Sequence, residues 1–504
     1  MASSIHTKAS GLLAAGAALG FLYSALRRLK QRSLLRSEPF LRLIAQPAQQ
    51  YKPHTPPWLA AAAAEASSGP PDGADPLAPE ALPAPVQQAV CRLQAAAAAG
   101  ELQFGHAMRT ELFMLEEGTV YLNHGSYGAA LRVAVQAQRY FQDRLEAQPV
   151  RFMETEALVA IRQAQLALAE LVRAEPRDIV FVPNATTAVN AVLQSISLKP
   201  GDLLLLADTT YPAVRSAAAS IAARCGAALL EVQLLDALGQ DDEIVRRYEA
   251  ALVAGGGHVR LAILDQIISL APVHLPVGAL CALCRRHGAA SLVDGAHAVG
   301  AVPLDLPSLG ADYYTSNLHK WACTPKGAAF LWVARSRQAG LLPPVTSHGY
   351  SLGFQGEFLW AGTADSTAVM AVPTALAVMR ALEPAATAYR SSLLRQAVAL
   401  LLRSWGTQAA LGVQSPAAVM CAVELPQFSG RPPSGALAAT IHAALRREHS
   451  IEVPVACAGG RMWCRISVQV YNELSDYQQL ADAVKQLAAG PSAAPDAPAA
   501  AAPS

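Results

Sequence analysis

The chain has 504 residues, 39 basic and 38 acidic side chains, and a net charge of +1. So balanced a charge gives no footing for nucleic acid or an acidic surface partner. With 52% hydrophobic and only 15% charged residues, the composition excludes a disordered protein and can supply two or three globular domains. In chain order, the first 37 residues stand apart. No acid precedes Glu38, and the uncharged run Ala9–Leu26 is followed by Arg27, Arg28, Lys30, Arg32 and Arg36. Two readings fit. One is a transmembrane anchor whose basic flank, and the chain behind it, face the cytosol. The other is a targeting peptide for a mitochondrion or plastid. Residues 38–110 are rich in alanine and proline and read as a linker, partly disordered. Residues 490–504 read as a disordered tail.

Between these ends, short apolar runs alternate with helix-like segments. Ile179–Val182, Leu203–Leu206, Leu261–Leu264, Ser291–Val293, Asp312–Tyr314 and Ala328–Val333 are the predicted strands. The pattern predicts an α/β fold with a mostly parallel sheet flanked by helices and ligands at the strand ends. The first strand leads into Pro183-Asn184-Ala185-Thr186-Thr187, a small-residue turn opening a helix. Such a start offers backbone N–H groups to phosphate, although a plain helix cap reads the same way. Tyr211, past the second strand, could stack on an aromatic ring. Cys281 and Cys284 lie at i and i+3 of an apolar helix, with no second pair at zinc spacing, so packing is the expectation. The cysteines give no sign of an oxidising compartment.

The most informative pair is Asp294, ending one apolar strand, and Lys320, following the aromatic strand Ala311-Asp-Tyr-Tyr-Thr-Ser-Asn-Leu-His-Lys-Trp321. A lysine can form a Schiff base with the aldehyde of pyridoxal phosphate (PLP). A carboxylate can keep its pyridine nitrogen protonated so that the ring absorbs electrons. Lys326 is a rival, but it sits in the turn before the next strand.

Four motifs together carry a resemblance: Tyr121-Leu-Asn-His-Gly-Ser-Tyr-Gly128, Asn184-Ala-Thr-Thr-Ala188, the 311–321 segment and Trp360-Ala-Gly-Thr-Ala-Asp365. The chain resembles the class V aminotransferase family of PLP fold type I, in its isopenicillin N epimerase-like and plant L-cysteine desulfhydrase-like branch. The resemblance implies a large PLP-binding domain over 111–370 with a seven-stranded-type sheet, and a smaller C-terminal α+β domain over 371–489. It makes Lys320 the catalytic lysine, pairs Asp294 with the pyridinium and brings His297 to the ring's phenolic oxygen. Tyr211 would cover the ring face. Ala185, Thr186, Asn317 and His319 would hold the phosphate, joined by Thr363 from a partner subunit in a homodimer with shared sites. Arg465 would clamp the substrate carboxylate, with Asn123 also on the substrate side; no metal is implied. In Asp265-Gln266-Ile-Ile-Ser269, Gln266 replaces the family's histidine, which puts chemistry leaning on that group in doubt. Cys457 is the one candidate for a desulfurase-type nucleophile, and core packing is the stronger reading.

The implied reaction is β-elimination from a sulfur amino acid by a C–S lyase. Epimerisation and transamination share the same cofactor residues and stay open. A catalytically silent membrane-anchored scaffold is the reading from another class. The intact Asp294/Lys320 pair argues against it, because packing needs neither residue.

Overall fold

The computed structural model describes residues 55–67, 84–413, 415 and 418–489. Residues 1–37 and 490–504, with the membrane-anchor, targeting and tail readings, lie outside the described residues.

Seven strands form the large sheet: β1 (Ile179–Val182), β2 (Leu203–Ala207), β3 (Ala228–Val232), β4 (Val259–Asp265), β5 (Ala290–Asp294), β6 (Tyr313–Asn317) and β7 (Ala329–Val333). Their spatial order is β1-β7-β6-β5-β4-β2-β3. Neighbours are parallel except β7, which runs antiparallel to both β1 and β6. The central strands are largely buried because helices cover both faces, so no regular polar alternation marks them. The alternation appears in packing instead. Leu205, Ala262, Leu264 and Val293 join one core, while Leu204, Leu206, Ile263 and Leu292 join the other. The edge strand β3, half-exposed and carrying Glu231, is missing from the predicted strands.

The expectation of a linker over 38–110 is corrected where the structure describes it. Pro57–Ala66 and Ala84–Ala99 are helices. Val86, Val90 and Leu93 are buried in the larger core, and their helix packs against Arg132–Ala147 and Val372–Leu382. The alanine runs behind the linker reading are strong helix formers once a core accepts their apolar side. The division at residue 370 also shifts. Helix Val372–Leu382 packs into the large-domain core, and the small domain's own core takes over from the following helix, Ala385–Trp405.

The small domain holds an antiparallel sheet of β8 (Ala410–Leu411), β9 (Met420–Glu424), β10 (Val455–Ala458) and β11 (Arg461–Ser467), in the order β10-β11-β9-β8. Val120–Tyr121 pairs in parallel with Ile451–Glu452, bringing the turn after residue 121 against this domain. Among the described residues no single helix is long and apolar enough to cross a membrane.

Candidate active site

A cavity of about 160 Å³ opens at the carboxyl ends of the sheet strands. Asp294 ends β5, and Asn317 ends β6 with His319 and Lys320 just beyond. Ala185 and Thr186 start the helix after β1, Tyr211 follows β2, Asp265 ends β4, and Ile267 and Ser269 lie just beyond it. All of these line the cavity together with His297, Ser126 and Tyr127.

Among the described residues, Lys320 is the only lysine in the cavity wall. Its Nζ lies 3.2 Å from His297 Nε2. Burial, then the neighbouring Arg465 cation, lowers its pKa from 10.5 to about 8, against a smaller opposing pull from Asp294. The Trp321 indole N–H donates to His297 Nδ1 at 3.5 Å, which leaves Nε2 as the donor nitrogen of the neutral ring. Burial and the cations of Lys320 and Arg465 hold His297 uncharged. Lys326 lies elsewhere, with its Nζ donating to the Gly128 carbonyl at 3.2 Å.

Asp294 is buried and accepts the Ala296 N–H at 2.9 Å. The turn after it is tightly braced: Ser316 Oγ donates to the Gly295 carbonyl at 2.6 Å, and a β-carbon on Gly295 would come within 2.1 Å of the Tyr314 hydroxyl. Asp265 stands directly in register with Asp294 on β4. Desolvation, then the charge of Asp294, raises its pKa, and its Oδ2 is buried without a partner. Two carboxyls in one desolvated cavity resist ionising together. The sequence showed Asp265 only as part of a motif; its pairing with Asp294 required the sheet register.

Gln266 is not in the cavity wall. Its Oε1 accepts from the Tyr314 hydroxyl at 2.6 Å, supporting the floor beneath Gly295. The doubt raised by the lost histidine therefore falls on a buttress and not on an acid or base in the cavity.

At the other end, Asn184 caps helix Ala185–Ser195 by accepting the Thr187 N–H at 2.9 Å. Thr187 is thus engaged in the cap, while Thr186 is the threonine that lines the cavity. The Ala185 N–H donates to Asn317 Oδ1 at 3.0 Å. His319 Nδ1 is buried with no partner. An orphan imidazole nitrogen beside a helix start, with a buried carboxyl across the cavity and a lysine between them, fits PLP: phosphate at one end, pyridine nitrogen at the other. Tyr211, 45% exposed, flanks the opening.

Arg465, on β11, lies behind Ser126 and Ser269. Its Nη1 donates to the Ser269 carbonyl at 2.7 Å and Oγ at 3.2 Å; its Nη2 donates to Ser126 Oγ at 2.8 Å and Asn123 Oδ1 at 3.2 Å. Its Nε is buried and unpartnered, and burial lowers its pKa to about 10. All four of its terminal N–H groups are thus engaged, which fixes the plane of the guanidinium behind the cavity wall.

His124 was quoted in the sequence motif without a role. Its Nε2 lies 2.9 Å from the Lys320 carbonyl and its Nδ1 2.9 Å from the Tyr471 hydroxyl. The carbonyl only accepts, so Nε2 carries the proton and the tyrosine donates to Nδ1. Burial drops its pKa to about 3, so it stays a neutral brace on the lysine's backbone. Gly128 completes the brace: at φ +68°, a β-carbon there would lie 1.9 Å from the His319 carbonyl oxygen.

Of the expected site residues, Arg465 and Asn123 stand behind the cavity wall and Thr363 is away from it. Thr363 is exposed on the loop after Trp360, whose neighbours Ala361, Gly362 and Ala364 line a separate groove of about 360 Å³. Cys457 is half-buried on β10 against the small-domain core. Cys281 and Cys284 are buried, their thiols pushed up to about 11 and about 12 by desolvation.

The model for the class-V aminotransferases matches residues 120–480. An L-cysteine desulfhydrase of Arabidopsis thaliana is 32% identical over 406 residues, 74% of this chain and 88% of the plant protein. An isopenicillin N epimerase of Streptomyces clavuligerus is 29% identical over 395 residues, 74% of this chain and 96% of the epimerase. In structure, the cystine C–S lyase C-DES, solved with its product cysteine persulfide, superposes with a TM-score of 0.63 at 24% identity. That match covers 74% of this chain and 98% of the lyase, and it places the fold among the PLP enzymes of fold type I.

Proposed function

The chain belongs to the class-V aminotransferase family, and on that premise we propose that it is a PLP-dependent C–S lyase of the L-cysteine desulfhydrase type. The observation that carries the PLP part of this reading is a desolvated, partly neutral Lys320 beside His297, in a cavity that also holds the buried Asp294. The desulfhydrase relative supports the substrate class. PLP supplies an aldehyde for the lysine and an electron-withdrawing ring for the substrate's Cα. Asp294 would keep the pyridine nitrogen protonated, and His297, with its proton on Nε2, would supply a donor to the ring's phenolic oxygen. Arg465, with Ser126 and Ser269 around it, orients the substrate carboxylate. Lys320 Nζ moves the Cα proton, its neutral fraction near pH 8 giving it the basicity the step needs. The Cβ–S bond then breaks with its electron pair leaving on sulfur, which takes a proton, and hydrolysis of the remaining fragment yields pyruvate and ammonia. Cys457 lies outside the cavity wall, which favours elimination over a desulfurase-type transfer of sulfur to an enzyme thiol.

The test is to supply L-cysteine to purified protein with PLP and to follow sulfide, pyruvate and racemisation. Sulfide and pyruvate in equal amounts are expected, lost in Lys320→Ala and kept in Lys326→Ala. Racemisation or amino transfer without sulfide would replace this reading by the epimerase or aminotransferase one.

A homodimer with Thr363 reaching the neighbouring site is part of the same proposal. So is delivery by Ala9–Leu26 to a membrane or an organelle. A reporter carrying residues 1–40 decides the latter: carbonate-resistant membrane association or a shortened organellar product is expected, and a diffuse full-length cytosolic product overturns it.

A further inference from the structure

We propose that Glu452, outside the cavity, is a positioning residue that orients Arg465 through the side chain of Asn123. The proposal rests on the reading of Arg465 as the group that binds the substrate carboxylate.

Arg465 Nη2 can only donate, so the Asn123 atom 3.2 Å away must be the amide oxygen. That same oxygen accepts from Ser126 Oγ. The other end of the amide, Nδ2, donates to Glu452 Oε1 at 3.0 Å. An ionised carboxylate only accepts, so Glu452 selects one of the two amide orientations. Without it, nothing on that side opposes a flip that would turn the NH₂ group against the guanidinium, donor to donor. Asn123 is only 8% exposed, so a flipped amide would find little water to repair the mismatch.

Glu452 is itself well placed for this task. Its backbone carbonyl accepts the Leu122 N–H at 2.9 Å, one residue from Asn123, through the two-residue parallel pairing. His442 Nε2 lies 3.3 Å and Arg446 Nε 3.8 Å from its carboxylate, both from helix Gly435–His449. The Asn123 amide, from the turn after Tyr121, thus joins two parts of the small domain: Arg465 on β11, and Glu452, whose carboxylate faces helix Gly435–His449. The charge is felt at the site: Tyr121 has its pKa raised to about 12 by burial and by Glu452, with Arg465 pulling the other way.

The experiment uses the PLP-loaded protein and ligands without a leaving group, L-alanine and L-alaninamide, titrated against the cofactor's visible absorbance. Binding is then read without any turnover. In the wild type the carboxylate ligand should bind more tightly than the amide. Glu452→Ala should weaken L-alanine by about tenfold, the scale of one hydrogen bond to a charged group, and leave L-alaninamide within about twofold by the same scale. The acid-over-amide preference shrinks, which a general loss of packing would not produce. Glu452→Gln retains an acceptor oxygen and should restore most of the preference. Should the alanine variant not fold, Glu452→Met keeps length and packing without an acceptor and carries the same expectation. An unchanged preference in either variant, or failure of both to fold, overturns the assignment. Arg465→Met separates the two readings. If it leaves the preference intact, Arg465 is not the carboxylate group. If it abolishes the preference while Glu452→Ala does not, only the role of Glu452 fails.

Discussion

Replacing Lys320 by methionine should make the cofactor-free protein more stable at pH 7, with the gain fading by about pH 10.5. In the folded protein the lysine's pKa is about 8, below its ordinary 10.5, because protein and a neighbouring guanidinium surround the amine. Below pH 8 the folded state therefore holds a charged amine in a poor environment, and the penalty is present in full. Between pH 8 and 10.5 the unfolded chain binds more protons than the folded one, so wild-type stability rises with pH until the penalty is gone. A depression of this size corresponds to about 3 kcal/mol at 1.36 kcal/mol per unit. Part of the side chain faces the cavity, where water solvates it, so about 2 kcal/mol is expected to be measured. Methionine has similar length and no charge, so it removes the penalty without emptying the space. Asp294 loses its cation in the same change, so the diagnostic quantity is the slope of the difference above pH 8. Urea unfolding of both proteins, followed by tryptophan fluorescence at pH 7, 8, 9 and 10, measures it. An offset constant across that range would refute the desolvated-lysine reasoning, and with it the view of Lys320 as a partly neutral amine at working pH.

The remaining predictions concern the framework around that lysine. Asp265→Asn should stabilise the cofactor-free protein at neutral pH, because the carboxyl's raised pKa means that ionising it opposes folding; the gain should disappear as pH falls below about 3, where both states are protonated. A pH-independent effect in thermal melts would contradict this. Gly128→Ala places a β-carbon against the His319 carbonyl at positive φ. It should cost more than about 2 kcal/mol, and a wild-type melting temperature would show that the turn does not brace Lys320. Mixing inactive Lys320→Ala and Thr363→Ala proteins should recover part of the activity through hybrid dimers; a fully active monomer would count against shared sites.

The outline of the cavity was legible in the sequence because much of its wall is local. Asp294 ends a continuous apolar strand, Asn317 ends another with Lys320 three residues on, and a small-residue turn opens a helix at Ala185. Strand ends and helix starts are written in neighbouring residues, and in a parallel sheet they gather at one edge. The edge strand Ala228–Val232 escaped because it is only half covered, so its composition is mixed. The helix Ala84–Ala99 escaped because alanine-rich sequence folds or stays loose depending on what it meets. Gln266 was read as a lost acid or base because a sequence does not say which way a side chain points past a strand end.

What the sequence alone determined is therefore the set of strands and caps that make an α/β sheet, and the Asp294/Lys320 chemistry placed at its edge. Tertiary structure decided everything that depends on segments far apart in the chain meeting. The register that sets Asp265 beside Asp294, the His124 brace on Lys320, and the Glu452–Asn123–Arg465 relay each join residues from different elements. Their physical cause is burial: a polar group taken out of water must find its partner wherever the fold supplies one, and only the packed chain says where that is.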